Sequence, residues 1–219
     1  MVAKKLGVRS EIKMEIGPIT LNGFLNIPPD AKGIVLFAHG SGSTRLSPRN
    51  QLVASFLNDA QIATLLFDLL TPEEEEVDNR TRALRFNIPL LAERLISTAE
   101  WVFKYPETHH LPVGFFGAST GAAAALIAAS ELGLRVHAVV SRGGRTDLAG
   151  QALSLVQCPT LFIVGGNDFG VIELNQQAFQ LLDCKKKIEV IEGATHLFEE
   201  PGALEEVGRM AAIWFSSHL

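Results

Sequence analysis

The segment V-G-F-F-G-A-S-T-G-A-A-A-A-L-I-A-A, from Val113 to Ala129, decides the fold class. It begins with an apolar run typical of a buried β-strand and continues, after Gly117, as an alanine-rich run typical of a helix. Ser119 lies at the junction, with Gly117 before it and Gly121 after it. A tight turn from strand to helix leaves little room beside its central residue, so these two glycines predict that the Ser119 hydroxyl is presented at the edge of a sheet.

The same alternation of strand and helix extends along the chain. Two alternating segments, residues 8–17 and 19–28, predict an antiparallel pair at a sheet edge. Six apolar runs follow and predict six further strands: GIVLFAHG, IATLLFD, LPVGFFG, VHAVVSR, PTLFIVGG and KKIEVIEG. Helical patterns lie between them at residues 49–58, 81–104, 120–132, 148–155, 171–182 and 201–218. We therefore expect an α/β protein with an eight-stranded, mostly parallel sheet and helices on both of its faces.

Two details of this pattern concern the middle of the chain. Pro89 falls inside the helical pattern of residues 81–104 and should kink that helix or split it in two. The acidic run TPEEEEVDN, which includes Glu73 to Glu76, is expected to be a solvated loop with no metal or partner role.

Composition restricts the class of protein further. The 219 residues are 47% hydrophobic and 20% charged and contain no linker or repeat, so one globular domain over residues 1–219 is expected. A net charge of −5 offers no basic surface for nucleic acid, and no secretion signal or run of membrane-spanning length is present. Cys158 and Cys184 have no paired spacing, which favours buried thiols in a cytoplasmic protein over a disulfide or a zinc site.

Candidate functional residues are sought at the carboxyl ends of the strands, where parallel sheets bind their ligands. The residues at those ends are His39, Gly40, Ser41, Asp68, Ser119, Arg142, Asp168 and His196. A serine nucleophile needs a histidine base, which in turn needs a carboxylate. Asp168 and His196 follow Ser119 in that order and predict such a set. Taken singly, Asp168 is equally a turn former and His196 equally a loop histidine.

The other histidines fit the role of base less well. His109 and His110 precede a strand, His137 is expected in the core, and His218 lies near the end of the chain. His39 lies at the correct edge but, within HGSGSTR, is expected chiefly to shape its loop, and direct contact with substrate is the less favoured role.

Four motifs carry a resemblance to a known family: HGSGS, GASTG, GGND and GATHLF. Over nearly its whole length the chain resembles an α/β-hydrolase of the dienelactone hydrolase-like group. The resemblance implies Ser119 as nucleophile, His196 as general base and acid, and Asp168 as its orienting carboxylate. It also implies an oxyanion hole formed by the backbone N–H groups of Thr120 and Ser41, with no cofactor, no metal and no large lid domain. Dienelactone hydrolase proper has a cysteine at the nucleophile position, so Ser119 favours ordinary serine esterase chemistry.

The expected activity is hydrolysis of esters or lactones of small soluble acyl substrates. Arg45, Arg142 and Arg145 lie on loops at the site edge and could bind a substrate carboxylate, or could instead pair with Asp147 or the glutamate run.

The main alternative to a hydrolase is a non-catalytic binding or accessory module that retains the fold. A phosphate-binding role for HGSGSTR is weaker, because the loop lacks the lysine of a P-loop. The sequence leaves open the oligomeric state and whether water is the acyl acceptor.

Overall fold

Eight strands lie in one sheet in the order β1-β2-β4-β3-β5-β6-β7-β8. The computed structural model describes residues 8–219. The strands are β1 (Val8–Ile16), β2 (Ile19–Ile27), β3 (Ile34–Ala38), β4 (Ala63–Phe67), β5 (Val113–Ala118), β6 (Val136–Arg142), β7 (Thr160–Gly165) and β8 (Lys186–Ile191). β2 pairs antiparallel with both β1 and β4, and every other neighbouring pair is parallel. This confirms the predicted mostly parallel sheet with an antiparallel edge.

Helices cover both faces of this sheet. They are α1 (Pro48–Asp59), α2 (Pro72–Thr81), α3 (Ile88–Val102), α4 (Thr120–Leu132), α5 (Phe169–Leu181) and α6 (Ala203–Ser216), with 3₁₀ segments at Gly133–Arg135 and Thr146–Leu155. Side chains along β3 alternate between two cores: Leu36 packs with residues of α3 and α4, and Phe37 packs with residues of α1 and α6. β3 is therefore apolar on both faces, which explains its uninterrupted hydrophobic run.

The acidic run is a helix, and its prediction as a solvated loop is wrong. Thr71 caps α2 by accepting a hydrogen bond from the Glu74 N–H, and the Glu74 side chain accepts one from the Thr71 N–H. Pro72 occupies the first turn, where no N–H is needed. This capping box is visible in the sequence as Thr-Pro-Glu-Glu, and it outweighs the repulsion among the glutamates.

The helical pattern of residues 81–104 forms a shorter helix than predicted. α2 ends at Thr81, Arg82 adopts a left-handed conformation with φ of 58°, and α3 begins only at Ile88. Pro89 therefore lies in the first turn of α3 and introduces no kink.

The connections that border the carboxyl ends of the strands are short. α2 and the 3₁₀ segment Thr146–Leu155 flank that edge, and no inserted domain covers it within residues 8–219. None of the helices in this part of the chain is long and apolar enough to cross a membrane.

Candidate active site

Ser119 lies in a strained turn between β5 and α4. Its backbone has φ of 51° and ψ of −121°, a conformation that costs a residue with a side chain about 1–3 kcal/mol. A Cβ atom on Gly117 would lie 2.4 Å from Ala122 Cα, and one on Gly121 would lie 2.1 Å from Ala38 O. The structure thus shows the crowding that the sequence predicts. Only glycine fits at position 117, two residues before Ser119, and at position 121, two residues after it.

The structure brings the side chains of Ser119, His196 and Asp168 together. His196 Nδ1 lies 2.6 Å from Asp168 Oδ2, and His196 Nε2 lies 3.4 Å from Ser119 Oγ. With its Nδ1–H donated to the carboxylate, the imidazole presents an unprotonated Nε2 to the serine hydroxyl. The serine contact is long, as is common in unliganded catalytic sites.

The loop after β3 lies beside this serine because β3 and β5 are neighbours, with Ala38 paired to Gly117. A Cβ atom on Gly40 would lie 3.1 Å from Ser119 Cβ, so this glycine also permits a close approach. The backbone N–H groups of Ser41 and Thr120 donate no hydrogen bond to any other residue in the described part of the chain. Two N–H donors are therefore free where an oxyanion hole is expected.

His39 holds the start of this loop in place. Its Nδ1–H donates to Gly40 O at 3.0 Å, and its Nε2 accepts from the Leu69 N–H at 3.1 Å. Burial lowers the pKa of His39 below its ordinary value, although the bond to Gly40 and the nearby Asp68 oppose this shift. Both ring nitrogens are used, which agrees with the loop-shaping role and leaves no nitrogen for the less favoured substrate contact.

Two of the three predicted substrate-binding arginines are paired with carboxylates. Arg145 donates two hydrogen bonds to Asp147, at 2.9 and 2.8 Å, which is the predicted alternative. Arg45 pairs with Asp68, which also accepts from the Arg45 N–H at 2.8 Å, and contacts Glu11. The partner of Arg45 is thus Asp68, at the end of β4, and neither Asp147 nor the glutamate run.

Arg142 has no such partner. It is the last residue of β6, it is only 7% exposed, and its Nε and Nη1 atoms have no hydrogen-bond partner in the described structure. Burial, and secondly the nearby charge of Arg49, lower the pKa of Arg142 to about 10. Its side chain lines a pocket of about 190 Å³ that also contains Ser119 and His196. Of the three candidates, only Arg142 lines the pocket that contains Ser119, and two of its guanidinium nitrogens have no partner in the described structure.

Comparison with known proteins shows the family to which this fold belongs. Residues 31–210 match the family described as alpha/beta hydrolase domain. The crystal structure of a dienelactone hydrolase from Anabaena variabilis is 54% identical, with a TM-score of 0.97 over 98% of this chain and 99% of that chain. The chain belongs to the dienelactone hydrolase-like α/β-hydrolases.

More distant structures of this α/β-hydrolase class share the fold. Est1E from Butyrivibrio proteoclasticus is 14% identical, with a TM-score of 0.78 over 94% of this chain and 98% of that chain. A relative from Mycobacterium tuberculosis strain H37Rv, provisionally named a phosphoribosyl transferase, is 56% identical over 209 residues. The match spans 95% of this chain but 46% of that protein, so the chain spans less than half the length of this relative.

Sequence reasoning missed part of this α/β-hydrolase site. Arg49 and Asn50, at the N-terminal end of α1, line the same pocket as Arg142. The available signal was Ser47-Pro48, a helix start directly after the oxyanion loop, which places the next residues at the edge of the site.

The prediction that His137 is a core residue is wrong, because that side chain is exposed on β6.

A second pocket lies on the other side of the oxyanion loop, and its polar residues were also not predicted. It is lined by the loop itself and by Asp68, Glu75, Asp78 and Arg85. Burial alone would raise the pKa of Asp78, but bonds from the Leu84 N–H and from Arg85 hold it below its ordinary value. The charges that line this second pocket are mainly acidic, and Arg85 is already paired.

Proposed function

We propose that this protein is a serine hydrolase that cleaves esters or lactones of small acyl substrates through an acyl-enzyme at Ser119. The observation that carries the proposal is the chain of contacts from Ser119 Oγ through the His196 ring to Asp168, with the serine held in a strained turn. A binding role would need neither the strain nor the histidine, so the main alternative has no observation in its favour.

In the first step, Ser119 Oγ attacks the substrate carbonyl carbon as its proton passes to His196 Nε2. Asp168 stabilises the imidazolium that forms, because its carboxylate accepts the Nδ1–H. The carbonyl oxygen becomes an oxyanion that accepts hydrogen bonds from the Thr120 and Ser41 N–H groups. The loss of one such donor typically lowers kcat by about 10²–10³.

In the second step, the tetrahedral intermediate expels the alcohol, which takes the proton from His196 Nε2. A water molecule then loses a proton to the same nitrogen and attacks the acyl carbon, and the departing Ser119 oxygen recovers that proton. In a lactone, the alcohol remains attached to the acyl group until this hydrolysis. The steps consume one water molecule for each ester bond and need no cofactor.

The breadth of the substrate class follows from the open site and from the relatives. No inserted domain restricts entry within residues 8–219, which favours small acyl groups without a dedicated long channel. The name of the Anabaena variabilis protein supports including lactones. The provisional name of the Mycobacterium tuberculosis relative does not guide the proposal, because more than half of that protein lies outside the match.

The proposal is tested by labelling the purified protein with a fluorophosphonate and locating the adduct by mass spectrometry. We expect the adduct on Ser119 and hydrolysis of short 4-nitrophenyl esters by the wild-type protein. Ser119→Ala should lose both properties, and His196→Ala should lose turnover. Ser130→Ala, at the other end of α4, is the matched control and should keep both. A protein that neither labels nor turns over any ester would refute the proposal and favour the binding module.

A further inference from the structure

The pocket beside Ser119 is lined by two arginines, Arg142 and Arg49. It lies between the end of β6, which supplies Arg142, and the N-terminal end of α1, which supplies Ser47, Arg49 and Asn50. Among the residues that line it, none is aspartate or glutamate. Ser119 and His196 line the same pocket as the two arginines.

Arg142 is the strongest indication that this pocket binds a ligand. A buried guanidinium is normally paired, because an unpaired charge in a protein interior is unfavourable. Its Nε and Nη1 atoms have no partner among the described residues, and its Cζ atom lies over the Phe198 ring, 6.0 Å from the ring centre. The paired Arg45 and Arg145 show that this chain does supply carboxylates to other arginines at the same edge.

Arg49 adds a second guanidinium that is only weakly neutralised. Its Nη1 lies 3.2 Å from Glu199, whose side chain is 64% exposed, and such surface ion pairs are weak. Its Nε atom is buried and has no partner in the described structure. The two arginines are close enough for the charge of Arg49 to disfavour that of Arg142. A ligand that relieves this repulsion must be an anion.

We propose that this pocket is a subsite for a phosphate-type dianion carried by the substrate, bound between Arg142 and Arg49. The inference deepens the proposed function, on which it rests, by naming the substrate class. Two guanidinium groups match two negative charges, whereas a carboxylate would neutralise only one of them. The N-terminal end of α1 adds a partial positive charge, and Ser43 and Ser47 line the same space.

The substrate is therefore an ester or lactone with a phosphate a few atoms from the scissile carbonyl, because the pocket includes both Arg142 and Ser119. Three 4-nitrophenyl esters of equal chain length test this: the pentanoate, the glutarate and the 4-phosphonobutanoate. They end in a methyl group, a carboxylate and a phosphonate, respectively. We expect kcat/KM for the phosphonate ester to exceed that for the pentanoate by roughly tenfold to a hundredfold, as for hydrogen bonds to charged groups, with the glutarate between them.

Arg142→Met and Arg49→Met should each reduce the ratio of phosphonate to pentanoate kcat/KM by about tenfold or more. Arg209→Met, on the exposed surface of α6, is the matched control and should leave this ratio unchanged. A glutarate ester that equals or exceeds the phosphonate ester would overturn the assignment of a dianion. A wild-type enzyme that hydrolyses all three esters equally would overturn the subsite as a whole.

Binding without turnover separates this inference from the proposed function. Inorganic phosphate should raise the Tm of the wild-type protein above its value in potassium chloride of equal ionic strength, and this increase should be lost in Arg142→Met. Phosphate-dependent stabilisation in a protein that hydrolyses no ester would refute the hydrolase and leave the anion pocket standing. Ester hydrolysis without any phosphate effect on Tm or preference would refute the pocket alone.

Discussion

Replacing Arg142 by methionine should make the folded protein more stable. Burial, and secondly the charge of Arg49, lower the pKa of Arg142 well below its ordinary value, to about 10. At about 1.4 kcal/mol for each pH unit, keeping this guanidinium charged in the folded state at pH 7 costs about 3 kcal/mol. Methionine occupies a similar space and carries no charge, so the variant avoids this penalty. The free energy of unfolding should therefore rise by about 2–3 kcal/mol, which corresponds to an increase in Tm of roughly 5–10 °C.

Urea denaturation at pH 7 measures this difference, and its pH dependence gives a second check. The pKa of Arg142 is lower in the folded state than in the unfolded state, so in the window between these two pKa values, which begins near pH 10, the unfolded chain binds more protons. Wild-type stability therefore gains from this group as the pH rises through that window, and the advantage of Arg142→Met should begin to shrink above pH 10. The full difference should be present at every pH below that window.

The same substitution at Arg45 is the matched control and should have the opposite sign. Arg45 pairs with Asp68, whose side chain is only 11% exposed, so Arg45→Met leaves a mostly buried carboxylate without its partner. We expect a loss of stability there. If Arg142→Met also lowered the free energy of unfolding by about 1 kcal/mol or more, the residue would be a structural element with a missed partner. The argument for a ligand at Arg142 would then fail.

Three further outcomes are expected. Burial lowers the pKa of His39 below 6.5, so below pH 6.5 the unfolded chain binds more protons at this histidine than the folded protein does. The free energy of unfolding should therefore fall as the pH drops below 6.5. His39→Gln should flatten this pH dependence in denaturation curves. Burial raises the pKa of Cys158 to about 12, so Ellman's reagent at pH 8 should modify it only after unfolding, with half-buried Cys184 reacting first. Gly121→Ala should abolish fluorophosphonate labelling, because the new Cβ atom would lie 2.1 Å from Ala38 O, the last carbonyl oxygen of β3. Gly170→Ala is the control and should keep the labelling, because no atom lies within 4 Å of the Cβ position at Gly170.

The fold was accessible from the sequence because its signals are local and repeated. The parallel strands β3, β5 and β7 are short apolar runs buried on both faces, and helical patterns separate them along the chain. The errors arose where two local signals compete. Four consecutive glutamates indicate a solvated segment, but the preceding Thr71 and Pro72 start a helix that accommodates them. Pro89 lies inside the helical pattern of residues 81–104, which predicts a kink or a break, but in the structure it occupies the first turn of α3, where proline does not disturb a helix.

The residues proposed for catalysis were also accessible, because each follows a strand and the strand order converges at one edge. Ser119 follows β5 and Asp168 follows β7, with β6 alone between these two strands in the sheet. The distances among the side chains could not be derived from that order. They depend on details such as Gly165, where a Cβ atom would lie 2.5 Å from Ala194 O and would displace the loop that carries His196.

Sequence could not supply the full pairing of the three edge arginines, and the proposed substrate class rests on that pairing. Of the three, only Arg145 has a carboxylate close by in sequence, Asp147, and nothing in the sequence neighbours of Arg45 and Arg142 separates these two. Arg145 is neutralised by a carboxylate two residues away, and Arg45 by one across the sheet edge. Arg142 is buried beside a second arginine and receives none. The expected gain in stability of Arg142→Met and the proposed anion subsite therefore have one cause, because a buried guanidinium without a partner in the described protein is unfavourable until an anion binds it.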